Sequence, residues 1–133
     1  MRKVILAIDD NEDFLCTLED ILSNNGYDVK ILSDPAKTEE FIDKYDPDLL
    51  IIDIFMPKRS GFNILEDFRK NGVYEDIPKV FLTCLDDDIE RMTARACGVA
   101  RYIAKPVRPK ELLVAVDALL NPGGLSEGND NNG

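Results

Sequence analysis

The sequence predicts an α/β protein: five parallel strands, each followed by a helix, in one doubly wound sheet. Two observations carry this reading. Short apolar runs alternate with segments whose apolar residues recur at helical spacing, from residue 4 to residue 120. Three of the runs also stop abruptly on charge: Val4–Ile8 on Asp9 and Asp10, residues 49–52 on Asp53, and residues 102–104 on Lys105. A chain of 133 residues suits one such domain, able to bury about two-thirds of the surface its unfolded form exposes.

Val4–Ile8 reads as the first strand, and Phe14, Leu15, Leu18, Ile21 and Leu22 then line one helical face. Gly26 closes that helix in the left-handed conformation glycine favours. Residues 27–31 alternate apolar and polar, as a half-exposed edge strand does. Ser33 and Asp34 before Pro35 start a second helix, with Phe41, Ile42 and Tyr45 on its buried side, and Asp46-Pro47 breaks it. The continuously apolar residues 49–52 form a central strand. A loop over residues 54–60 leads to a helix bearing Phe62, Leu65 and Phe68, and Lys79–Thr83 follows Pro78 as the fourth strand.

Asp86, Asp87 and Asp88 open the next helix, where acids favour the positive end of the dipole. Ile89, Met92 and Ala96 are expected as its apolar stripe, and Gly98 ends it. Residues 102–104 are the fifth strand. Pro109 starts the last helix, with Leu112, Leu113, Val116, Leu119 and Leu120 on one side. The domain is expected over residues 1–120. Asn121, Pro122, Gly123 and Gly124 stop the helix, and residues 121–133 are expected as a flexible tail or the start of a linker.

Composition narrows the chemistry. The formal net charge of −10 argues against direct nucleic-acid binding, which needs clustered Lys and Arg. No apolar stretch approaches the roughly 20 residues of a membrane span, and Met1-Arg2-Lys3 runs straight into a strand, so a cytoplasmic location is expected. Cys16, Cys84 and Cys97 are odd in number and lack metal-site spacing, and read as reduced, buried, apolar residues. Histidine is absent, which excludes His-based acid–base catalysis, His-activated nucleophiles and His metal ligands.

In open parallel sheets a ligand sits outside the carboxyl ends of the strands, where the strand order reverses. Here those ends are Asp9 and Asp10, Asp53, Thr83, and Lys105. If they are neighbours, three acids and one ammonium share an edge, and two like charges about 4 Å apart repel by roughly 4 kcal/mol at an effective dielectric near 20. Such a cluster calls for a divalent cation, and a cation held over a carboxylate suits phosphoryl chemistry. Taken singly, each residue has a plainer reading. Asp after a strand caps turns, Asp9 to Glu12 suits a helix dipole, Thr83 has β-propensity, and a lone Lys is usually solvated.

Taken together and in this order, these residues resemble the receiver domain of response regulators, the phospho-accepting part of two-component signalling. The matching elements are Asp9 and Asp10, Asp53, Met56-Pro57 followed by Gly61, Thr83, and Lys105-Pro106, over essentially all of residues 1–120. The resemblance implies the flavodoxin-like, CheY-like fold with strand order 2-1-3-4-5. It implies that Asp53 is the nucleophile and becomes 4-aspartylphosphate. Asp10 and Asp53 would ligate Mg²⁺ directly, Asp9 largely through water, and the backbone carbonyl of Phe55 would add an oxygen. Lys105 would neutralise the phosphoryl group, Thr83 would hydrogen-bond one of its oxygens, and Tyr102 would be the switch aromatic. The Lys105-Pro106 bond is commonly cis in the family.

By the same resemblance the phosphoryl donor is a sensor histidine kinase or a histidine phosphotransfer protein. The chain would catalyse only its own phosphorylation and dephosphorylation. Output would pass through the surface of residues 86–120 to a partner, a second copy or an output domain. Arg91, Arg95, Arg101, Arg108 and Lys110 make that region basic, either as solvated charge or to meet an acidic partner. No output domain follows residue 120, so the chain is expected either to stand alone or to belong to a longer protein, with the Pro-Gly-Gly tail favouring the second.

Cys84, Leu85 and Phe55 depart from the commoner family pattern of small or polar residues, and an apolar, crowded rim is expected to slow phosphoryl loss. An aspartyl-phosphate phosphatase of the haloacid dehalogenase kind would need a second Asp at position 55, which is Phe. A flavin site would need a neutral loop where Asp9 to Glu12 stands. A receiver-like scaffold that binds partners without phosphorylation is the third alternative.

Overall fold

The computed structural model describes residues 2–84 and 87–122. Its strands are β1 (Val4–Ile8), β2 (Asp28–Leu32), β3 (Leu49–Asp53), β4 (Lys79–Thr83) and β5 (Arg101–Ala104). The helices are α1 (Glu12–Ser23), α2 (Thr38–Tyr45), α3 (Gly61–Asn71), α4 (Asp88–Ala96) and α5 (Pro109–Leu120). All strand pairs are parallel and the order is β2-β1-β3-β4-β5. This is the doubly wound (βα)₅ sheet that the alternating pattern predicts.

Apolar runs in β1, β3 and β4 are continuous because both sheet faces are covered. Ile5, Ala7, Leu49, Ile51, Val80 and Leu82 pack on one side with Leu15, Leu18 and Leu22 of α1 and Leu112, Val116 and Leu120 of α5. Leu6, Ile8, Leu50, Ile52 and Phe81 pack on the other with Ile42 of α2, Ile64, Leu65 and Phe68 of α3, and Ala94 of α4. The chain crosses from β1 to β2 on one side and then returns to β3 on the other. The carboxyl ends of β1 and β3 therefore flank the point where strand order reverses.

Four expectations need correction. Ile89 and Met92 are 78% and 68% exposed, and Ala96 is exposed as well, so the predicted stripe of α4 faces solvent. The inward stripe is Glu90, Ala94 and Cys97, at the same i, i+4, i+7 spacing. One member is a carboxylate that finds hydroxyl partners and one is a methyl, neither of which apolar periodicity registers. The cysteines are not buried: Cys16 and Cys84 are exposed and Cys97 is half-buried. Cys16 lies on the outer side of α1, opposite Leu15 and Leu18. The second helix does not begin as an α-helix. Asp34 accepts from the Ala36 N–H at 3.1 Å to cap a 3₁₀ turn, Pro35–Lys37, and α2 proper starts at Thr38. Tyr27, expected in the second strand, lies just before β2, buried, and donates its hydroxyl to Asp117 of α5 at 3.1 Å.

Among the described residues no helix is long and apolar enough to cross a membrane. Leu85, Asp86 and residues 123–133, which carry the expected rim leucine, one of the three acids expected to open the fourth helix and most of the expected tail, lie outside the described residues.

The facing of α4 is open to a direct test by urea denaturation. Met92→Gln is expected to change stability by no more than about 0.5 kcal/mol, as a surface substitution does. Ala94→Leu is expected to cost about 1–3 kcal/mol by overpacking against Phe81 and its neighbours. The reverse ranking would put the predicted stripe back in the core.

Candidate functional site

The parallel ladder sets strand ends side by side, with Ile8 opposite Ile52, Asp53 opposite Leu82, and Thr83 opposite Ala104. Asp9, Asp10 and Asp53 each offer a carboxylate oxygen, and these oxygens lie within 4.8 Å of one another. Asp9 and Asp53 are buried and Asp10 is exposed, so the group opens to solvent on one side. The Lys105 Nζ reaches Asp9 Oδ2 at 2.9 Å and Asp53 Oδ1 at 3.6 Å. The Phe14 ring, 4.4 Å from that ammonium, flanks it as a cation–π partner. The Lys105-Pro106 bond is cis. The Lys105 N–H donates to the Thr83 carbonyl at 2.7 Å, which extends the ladder by one residue past β5. Asp9 is fixed from its other side by the Asn11 N–H at 2.9 Å.

Crowding perturbs these groups in the expected directions. Burial, together with Asp9 and Asp10, pushes the Asp53 carboxyl up to about 6, against the opposing pull of Lys105. Burial disfavours the Lys105 ammonium, but hydrogen bonds and charge from Asp9 and Asp53 outweigh it and hold the amine above its ordinary value. A buried carboxyl kept from ionising by its neighbours is a site short of positive charge. The donor set is all oxygen, which suits a hard divalent cation that keeps several waters.

The loop after β3 is held tightly. Ile54 N–H donates to Leu82 O at 2.9 Å and Gly61 N–H donates back to Ile54 O at 2.8 Å, bracketing Phe55. A Cβ on Gly61 would stand 3.0 Å from Asp53 O and 3.1 Å from Ile54 Cα, closer than most side-chain carbons approach backbone, so glycine suits this return. Arg59 closes the loop from outside. Its guanidinium donates to Pro35 O at 2.9 Å, to both Glu39 oxygens at 2.9 and 2.6 Å, and to Asp67 Oδ2 at 3.0 Å. Those bonds hold the Glu39 carboxyl below its ordinary value. Phe55, 44% exposed, stands at the rim, and Cys84 is exposed just beyond Thr83.

Thr83 is fully buried, and its Oγ1 donates to Glu90 Oε1 at 2.8 Å. The Tyr102 hydroxyl donates to the same oxygen at 2.5 Å, and the Arg91 guanidinium lies 4.9 Å from the Tyr102 ring centroid. The acids and Lys105 thus converge, while the Thr83 hydroxyl turns to α4 and meets Tyr102 through Glu90. The sequence reading missed Arg59 and Glu90. Arg59 finds acids 20 residues before it and 8 after, a spacing with no local signature. Glu90 stands three residues after Asp87, in the first turn of α4, where an acid is expected in any case and gives no sign of an inward turn.

Residues 5–117 match the family model of the response regulator receiver domain. The chain is 33% identical over 130 residues to the "Probable transcriptional regulator ycf27" of Porphyridium aerugineum, covering 98% of this chain and 53% of that protein. It spans about half the length of the curated relatives it matches. Among solved structures, the chemotaxis protein CheY4 of Vibrio cholerae superposes with a TM-score of 0.83 at 25% identity, covering 90% of this chain and all of that one. The BeF3-activated N-terminal receiver domain of Klebsiella pneumoniae RstA superposes at 0.82 with 28% identity, covering 90% and 99%.

The raised Asp53 value has a stability consequence in metal-free solution. The folded protein holds this proton more tightly than the unfolded chain. The group's favourable contribution is therefore full below 3.8 and is lost as pH rises through about 6. Asp53→Asn is expected to raise stability by about 1–3 kcal/mol at neutral pH, with the gain shrinking as pH falls toward 4. Urea titrations across that range check it, and a gain independent of pH would remove the electrostatic cause.

Proposed function

This chain belongs to the response regulator receiver family, whose general role is phosphorylation-based two-component signalling, and from that premise we propose that Asp53 takes a phosphoryl group from the histidine of a sensor kinase or phosphotransfer protein. The observation that supports this most is the convergence of three carboxylates and the Lys105 ammonium at the carboxyl edge of the sheet.

An Asp53 oxygen attacks phosphorus in line. A P–O bond forms, the P–N bond of the donor phosphohistidine breaks, and the imidazole leaves with the electron pair. The product is an acyl phosphate, so the nucleophile is also the site of modification. Asp9, Asp10 and Asp53, with the backbone carbonyl of Phe55, would hold Mg²⁺, which when bound would supply positive charge for the incoming phosphoryl oxygens. Lys105 supplies the rest from 3.6 Å, oriented by its 2.9 Å bond to Asp9. Thr83 donates its hydroxyl to a phosphoryl oxygen, and Tyr102 follows the space and the partner that Thr83 gives up.

The chain acts on itself rather than turning over a substrate. Its output is a shift between two pre-existing arrangements of the 86–120 surface. That surface carries exposed Ile89, Met92 and Val114 among Arg91, Arg95, Arg101, Arg108 and Lys110, a mixed face fit for a partner, a second copy or an output domain. Three free thiols, two of them exposed, fit a reducing cytoplasm.

Labelling by a small phosphodonor tests the reading. One phosphoryl group per chain is expected with Mg²⁺, and none after chelation or in Asp53→Asn. Labelling that survives Asp53→Asn would move the acceptor elsewhere. The rim generates a second expectation. With Phe55 and Cys84 beside the acid group, an attacking water has few polar partners to orient it, so phospho-Asp53 is expected to decay slowly, and Phe55→Asn or Cys84→Ala to shorten its lifetime several-fold. Decay within seconds that neither substitution changes would contradict this.

A further inference from the structure

Glu90 takes no part in the chemistry above. It is the third residue after the cap of α4, and its N–H donates to Asp87 Oδ1 at 2.7 Å. A glutamate at that position commonly folds back toward the cap. Here its carboxylate is turned inward, on the stripe it shares with Ala94 and Cys97. A single oxygen, Oε1, accepts from Thr83 Oγ1 at 2.8 Å and from the Tyr102 hydroxyl at 2.5 Å. That oxygen therefore joins two strands. Thr83 ends β4, beside the strand that carries Asp53, and Tyr102 stands on β5, the edge strand.

A threonine hydroxyl has one proton to donate. It cannot serve Glu90 and a phosphoryl oxygen on Asp53 at once, and hydrogen bonds to a carboxylate are about twice as strong as neutral ones. We propose that Glu90 is a positioning residue of the switch: its carboxylate competes with an anion on Asp53 for the Thr83 proton and anchors the Tyr102 hydroxyl in the resting arrangement. Occupation of Asp53 then withdraws Thr83 from Glu90, and the carboxylate is freed to move with Tyr102, its other hydroxyl donor, into the space Thr83 leaves. The bias toward the resting form is set by a residue outside the acid cluster, on the helix whose outer face carries Ile89 and Met92. This inference rests on Asp53 as the phosphoryl acceptor.

Beryllofluoride, with Mg²⁺ present, is the probe, and its affinity is read by ¹⁹F NMR of the bound anion. Glu90→Ala is expected to bind it about five- to tenfold more tightly than the unsubstituted protein, the worth of one hydrogen bond that no longer has to be given up. Glu90→Gln, which keeps shape and an acceptor oxygen but no charge, is expected to fall between. In a Thr83→Ala background, Glu90→Ala is expected to leave the affinity unchanged, because the contested proton is gone. Unchanged or weaker binding by both Glu90 variants, in folded protein, would overturn the proposal. So would an equal gain with and without Thr83, which would mark Glu90 as merely structural. Failure of the underlying reading looks different: the unsubstituted protein would bind no beryllofluoride, or Asp53→Asn would bind it equally well.

Discussion

The mutual repulsion of Asp9, Asp10 and Asp53 is the constraint around which the rest of this structure is arranged. Their oxygens lie within 4.8 Å, where each pair of full charges costs roughly 4 kcal/mol at an effective dielectric near 20. Lys105 offsets part of this from 2.9 and 3.6 Å. Burial, the larger cause, and what remains of the repulsion together push the Asp53 carboxyl up to about 6. Such an arrangement persists only on a rigid base. The base is a parallel sheet buried on both faces, with Gly61 returning against β3 and Arg59 tying the following loop to α2 and α3.

The same ladder that gathers the acids also sets Thr83 and Tyr102 on the two strands beyond them. Thr83 ends the strand next to Asp53, and the Tyr102 hydroxyl meets the Thr83 hydroxyl on one carboxylate oxygen. A change in what Thr83 bonds would therefore alter the contact that Glu90 of α4 shares with Tyr102 of β5. The transmission proposed through Glu90 would run along α4, whose outer face is apolar and basic.

Much of this was legible in the sequence, for physical reasons that also explain the gaps. Strands β1, β3 and β4 announce themselves because both faces are buried, which forces unbroken apolar runs. The acid cluster was legible because parallel strands deliver their carboxyl ends to one edge, so residues 9, 10, 53, 83 and 105 could be grouped without coordinates. Helix α4 misled because its buried stripe holds Glu90 and Ala94, whereas its larger apolar residues, Ile89 and Met92, face water. The cysteines misled for a related reason: small apolar character does not force burial when a helix such as α1 already has enough leucine. Arg59 was hidden because its partners, Glu39 and Asp67, are neighbours only after two helices have packed.

Asp9, Asp10 and Asp53 are expected to share one cation. Carboxyl ¹³C NMR during a Mg²⁺ titration at neutral pH reads it residue by residue. Asp9, Asp10 and Asp53 are expected to shift together with one saturating constant, while Asp46, at the C-terminal cap of α2, and Asp117, in α5, stay still. Shifts spread over unrelated acids, or none at residues 9, 10 and 53, would contradict it.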